Sequence, residues 1–281
     1  MNRKTYYTSL MSAGLALCLG LFAPGANSAK AVDFVPPDNV GAPRGRVGGG
    51  TRGSAFDQVV EPGAPGRRIG GGSRGCSIGG GQPSDRLLTA LIPESMVGLT
   101  VEEYPTFFWY LPPTDATAVE FVLMDEKGET VIYETTFRTK GEPGIVSLSL
   151  PENASLPPLD LDKNYQWYFS MICNPEDRAA DIFVRGWIRR VEPTIALRQE
   201  LQEATSQLER AQVYAQNGIW QDTLASLATS LRDNPRNRLV KDEWEQLMRD
   251  QGLTTIADAP LVQEITLESS NMEEPTEELN P

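Results

Sequence analysis

A mainly β sandwich of antiparallel strands followed by a C-terminal α-helical hairpin, α+β overall, is expected for this chain on three grounds. Between residues 87 and 192 apolar and polar side chains alternate with the two-residue period of half-buried strands. After Pro193 the period becomes helical. Outside these two segments the composition is Gly/Pro/Arg-rich on one side and acidic on the other, with too few large apolar side chains for a core.

The N-terminus reads as an export signal over residues 1–31. Arg3 and Lys4 precede an uncharged apolar run from Leu10 to Phe22. Pro24 and Gly25 then break it before the small-residue stretch that ends Ala29-Lys30-Ala31, so cleavage near Ala29 or Ala31 is expected. The run of about 13 residues is short of the roughly 20 that a spanning helix needs. No later stretch reaches that length, so the mature form is expected to be exported without an integral membrane span. Removal of the signal leaves Cys76 and Cys173 of the three cysteines. In an oxidising compartment they are expected to pair. A loop of about a hundred residues closed in this way contributes about 4–5 kcal/mol on the chain-entropy account.

Residues 32–86 form the Gly/Pro/Arg-rich arm. It holds an imperfect duplication: Ala42 to Gly53 recurs 22 residues later as Ala64 to Gly75, identical at eight of twelve positions. The composition predicts a flexible segment. Both copies match G-x-G-x-x-G, but neither lies between a strand and a helix, so no dinucleotide site is expected. The six arginines of the blocks, Arg44, Arg46, Arg52, Arg67, Arg68 and Arg74, are candidates for docking a partner.

Within 87–192 the strand candidates are Leu87–Ile92, Thr106–Leu111, Ala118–Met124, Glu129–Arg138, Val146–Leu150, Tyr165–Cys173 and Ile182–Arg189. Asp125-Glu126-Lys127-Gly128 is a hairpin signal, with Gly supplying positive φ. So many short strands with Pro- and Gly-rich turns between them point to an antiparallel sandwich of the immunoglobulin/fibronectin kind. Over 193–250, Leu201, Ala204, Leu208, Ala211 and Ala215 share one helical face. Gly218 interrupts it, Trp220, Leu224, Leu227 and Leu231 resume it, and a third helix follows Asn234-Pro235. Tyr214, Gly218, Trp220, Leu227 and Pro235 fall at tetratricopeptide spacing, although Thr223 and Ser230 stand where that repeat prefers alanine. One copy cannot make a superhelical groove, so a lone hairpin seated on the sandwich is expected. Residues 251–281 carry seven acidic and no basic side chains, and their end is expected to be a solvated tail.

Composition excludes whole classes of chemistry. There is no histidine in 281 residues, so no Ser-His-Asp or Cys-His unit and no imidazole metal ligand can form. Net charge is −13, with the excess acid in the strand and helix regions, which makes nucleic acid a poor partner. The carboxylate pairs Glu102-Glu103, Asp125-Glu126 and Asp160-x-Asp162 are the remaining acid/base candidates, and each sits in a turn-like stretch. Asp160, Asp162 and Asn164 also approach a calcium-loop pattern, without its Gly or terminal Glu. Phe107, Phe108, Trp109, Tyr110, Trp167, Tyr168 and Trp187 fill a core or, where the alternation turns them outward, offer a sugar-stacking strip.

Pro105-Thr106-Phe107-Phe108-Trp109-Tyr110, Tyr165-Gln166-Trp167, Cys173-Asn174-Pro175, Gly186-Trp187-Ile188 and the helical Tyr214-Ala215-x-Asn217-Gly218-Ile219-Trp220 together carry a resemblance. From about residue 74 to about residue 265 the chain resembles an exported cyanobacterial family catalogued as domain of unknown function 928. The resemblance implies an envelope with a periplasm, and it associates the chain with tetratricopeptide and filamentous-haemagglutinin-type secretion partners. It supplies no catalytic residues to carry over.

These readings converge on a non-enzymatic periplasmic binding or adaptor protein that acts on envelope or secreted proteins without a cofactor. Two other classes stay open at this point. One is a carbohydrate- or cell-wall-binding or -active protein using surface aromatics and carboxylates. The other is an envelope structural protein whose acidic tail binds cations.

Overall fold

The computed structural model describes residues 31–38, 40, 68–70, 76, 86–139, 141–152 and 156–265. Residues 1–30, Arg44, Arg46, Arg52, Arg67 and Arg74, and the acidic end beyond 265 lie outside the described residues.

Among the described residues nine strands and four α-helices follow one another in the order β1 (Thr89–Ala90), β2 (Val97–Thr100), β3 (Thr106–Leu111), β4 (Ala118–Met124), β5 (Val131–Arg138), β6 (Gly144–Ser149), β7 (Asn164–Ile172), β8 (Ile182–Arg190), α1 (Ile195–Glu203), α2 (Gln207–Gln216), α3 (Trp220–Asp233), α4 (Arg238–Asp250) and β9 (Leu261–Ile265). One sheet has the order β1-β3-β6-β9 and the other β2-β8-β7-β4-β5. The fold is α+β, with two sheets and a C-terminal helical region. Both sheets are mixed, where a wholly antiparallel arrangement was expected. β2 runs parallel to β8, and β9 runs parallel to β6. Both parallel strands are late or early additions at a sheet edge that no hairpin connects, so alternation within 87–192 does not reveal them.

The predicted strands occur close to their expected bounds. The hairpin between β4 and β5 turns at Asp125 to Gly128, where Gly128 has φ 69°. The Asp125 carboxylate accepts the Glu129 N–H at 2.8 Å and closes the turn.

β3 explains the layering. Phe107, Trp109 and Leu111 face the cluster shared by the two sheets, which also takes Phe121, Trp167 and Phe169. Phe108 and Tyr110 point the other way, into a second cluster with Trp220, Trp244 and Leu247 of the helices. Helices cover the outer face of this sheet, so β3 is apolar on both faces and reads as a continuous run. Tyr168, on the outer face of the other sheet, has a smaller cluster with Val122 and Met124. All seven aromatics named from the sequence are therefore buried. They do alternate, but the second face is covered too, and they form no exposed strip. Gly186 belongs to the same packing: a Cβ there would lie 2.4 Å from the Trp167 ring.

Trp220 joins helices to sheet. Fully buried, it donates its indole N–H to the Leu91 carbonyl at 2.9 Å. Phe34 meets its ring edge-on at 4.9 Å. The start of the arm is thus packed, with Val32 and Phe34 buried and the Val35 N–H bonded to the Ala215 carbonyl at 3.0 Å. Farther along the arm, Ile69 bridges Thr89 antiparallel.

The long helix expected through Leu201, Ala204, Leu208 and Ala215 is two helices. Ala204 is extended, and Ser206 caps α2 by accepting the Glu209 N–H at 3.1 Å. Glu209 in turn accepts the Thr205 N–H at 2.6 Å. This reciprocal capping costs less than continuing a helix through Thr205 and Ser206. Beyond α4, residues that belong by composition to the acidic tail are folded: Leu253, Ile256 and Ala259 are buried before β9 begins.

Candidate functional site

Cys76 and Cys173 are disulfide-bonded, with Cα atoms 4.8 Å apart and a sequence separation of 97. Of the six arginines named for docking, Arg68 alone falls among the described residues, and it is not an exposed docking group. Its backbone carbonyl accepts the Ala90 N–H at 2.8 Å. Its Nε and Nη2 atoms are buried without a hydrogen-bond acceptor. Burial lowers its pKa to about 10, against the opposing charge of Glu94. The arginine is drawn in because the strand-like pairing of residues 68–70 fixes its backbone beside β1.

The acid/base candidates are scattered rather than assembled. Glu103 pairs with Arg190 at 2.9 Å. Asp160 accepts from Lys163 at 3.2 Å and from the Tyr165 hydroxyl at 3.3 Å. Asn164 uses its carbonyl oxygen for Arg189, at 2.7 Å, so the calcium-like pattern is occupied by protein donors. The Asp125 carboxyl lies below its usual range; burial opposes this, and the backbone N–H groups of Glu129, Thr130 and Gly128 outweigh it.

A groove of about 490 Å³ lies between the end of α3, α4 and the segment leading into β9. Its apolar lining is Leu231, Trp244, Ala257, Ala259, Pro260 and Leu261. Tertiary packing fixes each wall. Trp244 is seated edge-on against Phe108 at 6.3 Å. Asn237 caps α4 by accepting the Leu239 N–H at 3.1 Å. Ion pairs fence the rim: Arg86 with Asp258 at 2.6 Å, Arg232 with Glu264 at 3.4 Å, and Lys241 with Glu245 at 3.7 Å. Arg232 also donates to the Ser147 hydroxyl at 2.6 Å, which ties α3 to β6. The Arg86 hydrogen bond holds the Asp258 carboxyl below its ordinary pKa.

At one end the groove meets a sheet edge. Leu261, a lining residue, is the first residue of β9, and β9 is the last strand of its sheet among the described residues. An apolar trough beside an unpaired strand edge can take an extended peptide, giving it backbone partners and pockets for alternate side chains. Sequence reading missed this site. Pro260-Leu261-Val262 was an available signal, a short apolar run inside an acidic stretch.

No curated protein and no solved structure matches the chain. The family described as Domain of Unknown Function (DUF928) matches residues 69–261, which span β1 to β8, the helices and the segment that walls the groove, up to the first residue of β9. The chain belongs to the DUF928 family.

Proposed function

We propose that this protein is a non-enzymatic, exported binding or adaptor protein, and that it takes an extended apolar segment of an envelope or secreted partner protein into the groove beside β9. The observation that carries this reading is the continuity of an apolar trough with an unpaired strand edge. Export is supported by the signal-like first 31 residues and by a disulfide suited to an oxidising compartment.

In this reading the two sheets are an immunoglobulin-type sandwich, a fold that carries binding functions by analogy only. Several features favour it. The order β1-β3-β6 against β2-β8-β7-β4-β5, with the first strand dividing between sheets, is that of an A-B-E and A′-G-F-C-C′ pair. Trp109 and Trp167 meet edge-on at 6.0 Å between the sheets, where antibody domains place a disulfide. Tyr165, at the start of β7, accepts the Asp160 N–H at 3.0 Å in the manner of a tyrosine corner.

The test is site-directed photocrosslinking in the native envelope. A crosslinker at Val262 should capture one partner through an apolar segment of that partner. Pro260→Trp, at an exposed lining position, should block the trough and abolish capture while the melting temperature is kept. Capture that is unchanged in folded Pro260→Trp, or crosslinks that map equally from a distant probe at Lys127, would overturn the groove.

A further inference from the structure

A second cavity, sharing no lining residue with the groove, lies between α2, α3 and the turn after β2. Asp222 stands in the first turn of α3, where a carboxylate complements the helix N-terminus. That role needs only a solvated acid, yet Asp222 is buried at 4% exposure. Neither carboxylate oxygen meets a donor at hydrogen-bond geometry. The Thr100 hydroxyl and the Val101 backbone N–H approach it and temper the penalty. Keeping a charge there without a partner is costly.

The carboxylate borders a cavity of about 230 Å³ whose other polar walls include Glu102, Arg210, Tyr214, Ser226 and Thr229. Two charges of opposite sign stand in this wall apart from Asp222. Glu102, on the turn after β2, adds its negative charge to that of Asp222. Arg210, on α2, donates to the Leu201 carbonyl at 3.5 Å and to the Tyr214 hydroxyl at 3.3 Å, and lies 5.9 Å from the Tyr214 ring centre. None of these partners is a carboxylate. Burial pushes the Tyr214 phenol up to about 12, so it is a neutral hydroxyl with a proton to donate.

We infer that this cavity binds a small zwitterion of the amino-acid class, with its ammonium group on Asp222 and Glu102 and its carboxylate on Arg210 and the Tyr214 hydroxyl. A lone metal ion suits it less. The space exceeds what one bare ion fills, and among the described residues no three acidic or cysteine side chains gather. A molecule of a few heavy atoms with charges at both ends satisfies both walls at once. The site is independent of the groove, and either can fail without the other.

Burial, with the Glu102 charge adding to it, raises the Asp222 pKa to about 7. Binding of an ammonium group therefore strengthens as pH rises through that value. The groups facing Asp222 are Thr100 from β2, Glu102 from the turn after it, and Tyr214 and Arg210 from α2.

The experiment is calorimetric titration of the intact protein with L-alanine, ethylamine and propionate at two pH values. L-alanine should bind at least about tenfold more tightly than either half-molecule, and about tenfold more tightly at pH 8 than at pH 6, following ionisation of one group. Asp222→Asn should weaken L-alanine binding at least about tenfold and remove its pH dependence. Arg210→Gln, on a partly exposed helix face, should weaken it comparably and keeps the question open to measurement if Asp222→Asn fails to fold. Unchanged affinity in either folded variant overturns the inference. So does ethylamine binding as well as L-alanine, or no heat from any probe at about 10 mM.

Discussion

Glu120 on β4 and Asp222 on α3 are carboxylates of nearly equal burial, 5% and 4% exposed, in opposite electrostatic circumstances. Glu120 receives both terminal nitrogens of Arg178, at 2.8 and 3.3 Å. Arg178 also reaches Asp181 at 2.5 Å, and Asp181 accepts the Cys173 N–H at 3.1 Å. Asp222 has no such clamp. The Arg178 pKa is raised, first by the hydrogen bond to Glu120, whereas the Asp222 carboxyl is pushed up to about 7 by burial. Equal removal from water therefore does not mean equal function. The acid with a bidentate cation closes a structural knot beside the disulfide, and the acid without one faces a cavity.

Removing the cation should make the first site resemble the second. Arg178→Ala strands Glu120 and Asp181 and should cost about 3–5 kcal/mol, read by denaturant unfolding at pH 7. Lowering the pH should recover part of that loss, because protonated carboxyls bury more cheaply. If stability at pH 7 is unchanged, Arg178 is not what offsets the burial of Glu120. Cys173→Ala loosens the same knot from its covalent side and should cost about 2–5 kcal/mol; an unaltered melting temperature would deny the bridge any weight.

Asp222 gives the converse case. Its folded-state pKa is raised from 3.8, so the folded chain holds this proton more tightly than the unfolded chain. The associated stability is complete below about pH 4 and is lost as pH rises toward 7, by roughly 4 kcal/mol at most. Asp222→Asn should flatten that decline and leave the protein more stable than the native sequence at pH 8, as chemical unfolding at pH 4, 6 and 8 would register. Smallest of all is Lys241→Ala at the groove rim. Lys241 is exposed and its partner Glu245 keeps Arg249, so the change in stability should stay within about 0.5 kcal/mol.

The strands were legible where chemistry alternated along one stretch of chain. Val146, Leu148 and Leu150 against Ser147 and Ser149 need no tertiary knowledge to be read as β6. β2, Val-Gly-Leu-Thr, is too short to show a period, and its pairing with β8 is parallel and distant in sequence. Ser206-x-x-Glu209 was a helix start visible in the letters, but the apolar spacing ran through it and masked the break. Pro260-Leu261-Val262 marks an apolar run but not the walls that make it a groove. The groove requires Trp244 and Pro260 to meet across a fold-back, and Asp222 in isolation is one more acid on an amphipathic helix. Its burial follows from the packing of α3 over β2 and β3, seen also in Gln221, which donates to the Thr106 carbonyl at 3.2 Å.

β9 joins its sheet from far downstream, pairing with β6 only after the four helices have intervened. Ile265 completes the inter-sheet core from that strand. A nascent chain that has emerged only as far as α4 therefore carries a bare β6 edge and an open seam, whatever its earlier hairpins have achieved. Such long-range closure is slow compared with hairpin formation. The growing polypeptide consequently keeps this seam open until β9 has emerged and paired with β6.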